Sequence, residues 1–382
     1  MKVVIAIDSF KGSLTSGQAN EAAAAGVRDA CPEAAIVTVP LADGGEGTVE
    51  ALVRATAGQL VTLTVTGPLG KPLAASYGLL SDGRTAVIEV AAACGLTLVP
   101  PAERDPLKTT TFGVGELIAD ALSRGCTELI IGLGGSATND AGIGMLQALG
   151  YSFRDTRGLE AAHGGAALTG IAAIDQSSAH PLLAHARIRV ACDVDNPLHG
   201  PEGAASIFAP QKGASAEAVE QLDRGLAHFA ALIHDQLGRD VQRIPGAGAA
   251  GGLGAAFAGL LGATLTPGAP LVLEAAGFDR LLEGSDFVIT GEGRLDGQTA
   301  RGKAPLAVAR AASGHGIPVI ALAGDVAPQA AELAALGITA AFSIVSGPAS
   351  LEQAMSPAVA QDGLRRTTKE LFRLLRTMQR RQ

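Results

Sequence analysis

The chain has 382 residues, 47% hydrophobic and 17% charged, with a formal net charge of −8. The apolar share excludes wholesale disorder, and the length predicts two or three domains. The acidic balance gives no basic field for nucleic acid. Aromatics make up only 3%, with no Trp, so the core must be built from Ala, Val, Leu and Ile. Cys31, Cys94, Cys126 and Cys192 lie far apart with no Cys-x-x-Cys. That spacing indicates neither a zinc site nor a disulfide framework, and a reducing, cytoplasmic setting is expected. Met1 and Lys2 lead at once into a strand-like run, without the apolar region of a signal peptide.

Strand-like runs recur at Val3–Ile7, Ala35–Val39, Val61–Val65, Ala86–Val90, Leu129–Leu133, Ile188–Ala191, Phe287–Thr290, Pro318–Ala323 and Ala341–Val345. Several are continuously apolar, as expected for strands covered on both faces of a parallel sheet. Helical patterns separate them. Ala19, Ala22, Ala23, Gly26, Val27 and Ala30 share one face, and Thr15 with Gln18 predicts a capping box. Glu116–Leu122, Ala141–Leu149 and Ala304–Ala312 read as helices too. Gly67-Pro68 and Lys71-Pro72 predict a crossing between domains, and Ala161–Ala184 an irregular surface excursion. Ile244–Leu273 carries no charge, but its glycines and prolines predict a loop and a buried helix, not a membrane span. The amphipathic, basic C-terminus, Leu364–Arg381, predicts a helix docked on the sheet. The class is α/β, with two domains. A doubly wound, mostly parallel sheet is expected from 1–70 plus 276–382, with a second α/β domain, 71–275, inserted.

Polar residues cluster after the strands: Asp8–Ser13, Asp43–Thr48, Gly134–Asp140, Asp193–Asn196 and Gly291–Arg294. Ligands of open α/β sheets bind in the crevice outside such strand ends. The alternative for each loop is an Asp or Ser that only caps the next helix. Gly132-Leu133-Gly134-Gly135-Ser136-Ala137 suits a phosphate or carboxylate. It also fits the looser dinucleotide fingerprint, with Asp155 as the downstream acid, so a dinucleotide-binding enzyme stays open. Gly297–Lys303 approaches a phosphate-binding P-loop, but Ala304 stands where Ser or Thr would bind Mg²⁺. Arg301 and Lys303 remain candidate phosphate contacts. Asp193 and Asp195, two apart on an extended segment, can reach one hard cation or belong to an Asp-Asn-Pro turn.

Taken together these strings resemble a family. DSFKGSLTS at Asp8–Ser16, PLADGGEGTVEAL at Pro40–Leu52, IGLGGSATNDAGIGMLQALG at Ile131–Gly150 and ACDVDNPLHGPEGAA at Ala191–Ala205 are similar to the bacterial glycerate kinase family, type 1. APQKGA at Ala209–Ala214, PGAGAAGGLGAA at Pro245–Ala256 and ITGEGRLDGQTARGKAP at Ile289–Pro305 extend the match. The resemblance implies ATP-dependent phosphorylation of D-glycerate to 2-phosphoglycerate, in a cleft between the two domains, and Mg²⁺ held partly by substrate phosphates is expected at Asp193 and Asp195. A kinase of another small hydroxy acid is the neighbouring alternative. No membrane partner is expected, and a homodimer stays open.

Phosphoryl transfer needs positioning and charge neutralisation more than covalent help. A carboxylate must orient the attacking hydroxyl, and cations must offset charge on the phosphates. Asp193 is the expected base or metal ligand, with Asp195 as second ligand and Asp8 as the alternative base. Lys11 is the expected catalytic cation. Substrate- or phosphate-binding roles are expected for Ser9, Asp43, Gly44, Gly45, Glu46, Gly134, Gly135, Ser136, Thr138, Asn139, Asp140, Asn196, Glu292, Asp296 and Lys303.

Overall fold

The structure is a computed structural model and describes residues 1–42, 44–297, 299 and 303–379. Its strands are β1 (Lys2–Ile7), β2 (Ala35–Thr38), β3 (Gln59–Thr66), β4 (Pro72–Leu79), β5 (Thr85–Glu89), β6 (Glu128–Gly132), β7 (Ser152–Arg154), β8 (Ala173–Asp175), β9 (Arg187–Ala191), β10 (Thr264–Thr266), β11 (Phe287–Leu295), β12 (Val319–Val326) and β13 (Ala340–Ser343). The chain divides into two compact units, Met1–Asp43 with Glu50–Ala55 and Ala269–Gln382, and Gly44–Val49 with Thr56–Gly268.

The first unit holds a parallel five-stranded sheet in the order β13-β12-β11-β1-β2. Alternation along β1 divides its core. Val3, Ile5 and Ile7 face one side, where they join Val27, Leu364 and Phe372. Val4 and Ala6 face the other, with Phe278, Leu282 and Val308. Burial on both faces is why the strand reads as an unbroken apolar run. The helix Ser16–Ala30 opens on the Thr15–Gln18 capping box, both of whose hydrogen bonds form, at 3.2 and 3.0 Å. It packs along Pro357–Gln379, and Gly26 marks the crossing. A Cβ there would run into the Arg365 carbonyl and lie 2.8 Å from Thr368 Cβ.

The second unit holds a six-stranded sheet in the order β10-β9-β6-β5-β4-β3. Its four strands β5, β6, β9 and β10 run parallel, while β3 and β4 form an antiparallel edge. One core spans it, from Tyr77 and Ile88 through Ile131 to Phe229 and Phe257. The segment read as a crossing at Pro72 is instead strand β4, and its pairing places β3 in this unit, not with residues 1–43. Gly67-Pro68 only turns the hairpin, where the Gly67 amide donates to the Lys71 carbonyl. Ile244–Leu273 forms a loop that is left-handed at Ala250, Gly251 and Gly252, a helical turn with a π turn at Ala256–Leu260, strand β10 and the start of the helix Gly268–Ala275. No described helix is long and apolar enough to cross a membrane.

Candidate active site

In the first unit, strand order reverses between β1 and β11, where Ile7 pairs with Gly291. A cleft of about 820 Å³ opens there, beyond the carboxyl ends of the parallel strands. That is the crevice in which open α/β sheets take ligands. Asp8, Ser9, Lys11, Glu292, Asp296 and Lys303, all candidates from the sequence, line it. Val345, Ala349, Leu351 and Met355 line it as well, and give one wall an apolar character.

The β1 corner is tied from below by residues the sequence reading passed over. Asn20, fully buried, accepts from the Ile7 amide at 3.3 Å and donates to the Ile7 carbonyl at 2.9 Å. Ser16 Oγ donates to the same carbonyl at 2.6 Å and accepts from the Leu41 amide at 2.7 Å. The Asp8 amide is bonded to the Gly291 carbonyl at 2.9 Å, and its carboxylate accepts from the Ser9 amide at 2.7 Å. Phe10 and Leu14 then close a tight loop, with Gly12 at φ 77°. Lys11 stands exposed at its tip.

The segment Gly291–Arg294, expected to be a loop, continues strand β11 to Leu295. Its glycines disguise it, although Gly291 is needed because a Cβ would collide with the Leu322 carbonyl of β12. Glu292 is therefore held on rigid sheet. It accepts from Thr299 Oγ1 at 2.6 Å and lies 3.5 Å from Lys303 Nζ. Burial pushes its carboxyl above the usual range, partly opposed by Thr299 and Lys303. Lys303 precedes the helix Ala304–Gly314. Arg294 pairs with Asp325 at 3.1 Å. Arg301 and Asp43 lie outside the described residues.

In the second unit, the loop after β6 packs against Gly44 and Gly45. A Cβ on Gly132 would strike the Gly44 carbonyl, and one on Gly134 would lie 2.8 Å from Gly45 Cα. Gly44, at φ 87°, also abuts Ala191. At these glycines backbone packs against backbone, and no side chain fits. Glu46 is exposed. Beside it Glu89, at the end of β5, accepts from the Val49 amide at 2.8 Å. Burial, with the Glu46 charge adding to it, raises the Glu89 carboxyl.

Ser136, Thr138, Asn139 and Asp140 do not form one polar rim. Ser136 is 7% exposed, while the other three are fully buried. Thr138 Oγ1 points toward Cys94 Sγ, 3.9 Å away. Asp140 accepts from the Thr111 amide and hydroxyl, both at 2.9 Å, and from the Gly142 amide at 3.1 Å. It is a structural anchor, and burial outweighs those bonds to raise its carboxyl. Both amide atoms of Asn139 lack a partner. The helix behind the loop begins only at Ile143. The strand–turn–helix that a dinucleotide turn requires is therefore not built. Asp155 instead forms a surface turn, accepting from the Arg157 and Leu159 amides.

A residue not singled out from the sequence stands behind this loop. Lys212, 2% exposed, donates from Nζ to Ser136 Oγ at 3.0 Å and to the Thr138 carbonyl at 2.6 Å. Burial pushes its ammonium down to about 8, against the pull of Cys94 and Asp140. Nothing in the sequence signals a buried lysine, because most lysines are solvated. Only its place in APQKGA drew notice.

Asp193 and Asp195 are both exposed. Asp193 Oδ1 accepts from the Gly268 amide at 2.9 Å. Asn196 donates from Nδ2 to the Glu202 carbonyl at 2.8 Å, which holds the turn. Among the described residues no group of three or more His, Cys, Asp or Glu side chains could hold a metal. An all-protein cage is thus not built there. Mg²⁺ bound chiefly through phosphate oxygens needs only one or two carboxylates, a donor set the exposed Asp193 and Asp195 match.

The comparisons bear on this arrangement as a whole. Residues 3–376 match the model of the glycerate kinase family. A glycerate kinase of Bacillus subtilis is 48% identical over 99% of both chains. The glycerate 2-kinase of Escherichia coli is 48% identical over 94% of both. A solved structure from Salmonella typhimurium LT2, assigned as glycerate kinase 2, superposes with a TM-score of 0.90 at 48% identity, covering 100% of this chain and 99% of that one. The motif loops sit on a framework shared along nearly the full length, and the chain belongs to the glycerate kinase family.

Proposed function

We propose that the chain is a glycerate 2-kinase, transferring the γ-phosphoryl group of ATP to the 2-hydroxyl of D-glycerate. The observation that carries this is its 48% identity to a glycerate 2-kinase over 94% of both chains. The polar strand ends supply the chemistry such a reaction needs.

The nucleotide is assigned to the cleft of the first unit. There Val345, Leu351 and Met355 offer apolar surface for a base, and Lys11, Arg294 and Lys303 offer positive charge for phosphates. Positive charge near the β- and γ-phosphates stabilises the charge that shifts onto the leaving oxygen. Asp193 is assigned as the carboxylate that orients the acceptor hydroxyl and takes its proton. Its bond to the Gly268 amide occupies Oδ1 and fixes the group's direction. Mg²⁺, when bound with ATP, neutralises phosphate charge, and Asp193 with Asp195 would hold it. The rest of the work falls to the chain itself: Asp8 and Ser9 shape the cleft floor, and Glu292 fixes Lys303. A cytoplasmic location suits this soluble chemistry.

The test is ADP release, coupled to a spectroscopic readout, across a panel of small hydroxy acids. D-Glycerate with ATP and Mg²⁺ is expected to give the highest kcat/KM, and EDTA to abolish turnover. Preference for another hydroxy acid would move the assignment within the kinases. ADP release with none of them would remove it.

A further inference from the structure

We infer that Lys212 fixes the Ser136 hydroxyl as a hydrogen-bond donor to an anionic oxygen of a substrate, a carboxylate or a phosphate. An ammonium has donors and no acceptor, so in the 3.0 Å contact Ser136 Oγ must accept. The single hydroxyl proton is then directed elsewhere, and it has no acceptor among the described residues. Ser136 lies next to the exposed Gly134 and Gly135, whereas Lys212 is 2% exposed. The lysine is enclosed, while the serine, 7% exposed, borders the surface of the loop.

The same arrangement selects for negative charge. Lys212 has only Ser136 Oγ and the Thr138 carbonyl as partners, and no carboxylate pairs with it among the described residues. Asp140 acts on Lys212 through space and only partly offsets its burial, so the cation stays under-compensated. An anion received by Ser136 would sit one hydroxyl away and offset part of that penalty. A neutral ligand would not. Lys212 is fixed in place by the turn Pro210–Lys212 and by Gly213, at φ 96°, where an added Cβ would collide with the Arg104 carbonyl. Lys212 is therefore a positioning residue, acting through Ser136. The choice between carboxylate and phosphate rests on the glycerate kinase reading; the direction of the hydroxyl does not.

Ser136→Ala, Lys212→Met and the double variant test this, each with kcat, KM for D-glycerate, KM for ATP and a melting curve. Loss of a hydrogen bond to a charged group is expected to raise one of the two KM values about ten-fold or more in Ser136→Ala, with a smaller change in kcat. A rise for D-glycerate identifies a carboxylate, and a rise for ATP a phosphate. Lys212→Met is expected to raise the same KM, and the double variant to lose clearly less than the sum of the two single losses, because both break one chain of contacts. Unchanged KM values in Ser136→Ala, or fully additive effects in the double variant, would overturn the inference. Should Lys212→Met fail to fold, Ser136→Ala decides alone. Should the wild type not phosphorylate glycerate, the kinase reading fails separately. Calorimetric titration with inorganic phosphate then decides: binding by wild type that weakens in Ser136→Ala supports the inference, and equal or absent binding overturns it.

Discussion

Asp193 offers the sharpest residue-scale test of the chemistry. Asparagine keeps the oxygen that accepts from the Gly268 amide, so Asp193→Asn should melt near wild type. It cannot serve as a base, and kcat is expected to fall by roughly 10²–10⁴. A parallel loss of MgATP affinity, partly restored by added Mg²⁺, would mark the carboxylate as a metal ligand too. Wild-type kinetics would remove Asp193 from the reaction. Lys212 makes a prediction about pH. In the unfolded chain it keeps its ordinary value of 10.5, while in the fold burial lowers it to about 8. Between those values the unfolded state binds the extra proton, so stability from this group rises as pH climbs from about 8 towards 10.5. Burial sets the shift, and Cys94 and Asp140, both fully buried, only partly counter it. Denaturant titrations at pH 7 and 9.5 should therefore show Lys212→Met losing a gain of ~1–3 kcal/mol that wild type has. Equal pH responses would contradict the buried charge.

At the scale of elements, the close approach of Ser16–Ala30 and Pro357–Gln379 depends on Gly26. Gly26→Val must push the helices apart and is expected to cost about 1–3 kcal/mol, with the KM values of the remaining folded protein unchanged. Melting temperature and kinetics check the two halves of that statement. Elements were legible in the sequence where one physical rule acted alone. The runs at Val3–Ile7 and Leu129–Leu133 are apolar because both faces are covered, and the Thr15–Gln18 box follows from the unsatisfied amides of a helix start. Elements were obscured where two signals competed. Strand β4 begins at Pro72, a residue that marks turns, and it tolerates proline at its first position. Strand β11 continues through Gly291 and Gly293, which read as loop, because neighbouring backbone comes too close for a side chain at Gly291.

At the scale of the whole chain, the long motifs carried the family, and the family organises the site residues. What the motifs could not convey is which polar residues face a ligand and which face the interior. Ser136 and Asp140 are four apart in one string, yet Ser136 borders exposed glycines while Asp140 anchors Thr111. That distinction depends on which backbone amides the fold brings to a carboxylate, a long-range outcome that local spacing does not encode. Lys212 is a stronger case: its burial follows from the loops that enclose it and not from its own neighbours in sequence. The central claim remains the reaction. Its most direct measurement is ³¹P and ¹H NMR of the product formed from D-glycerate, ATP and Mg²⁺. The account requires a new phosphate monoester coupled to the single proton on C2, appearing with equimolar ADP. A phosphate coupled instead to the C3 methylene protons, or ADP without any new monoester, would contradict it.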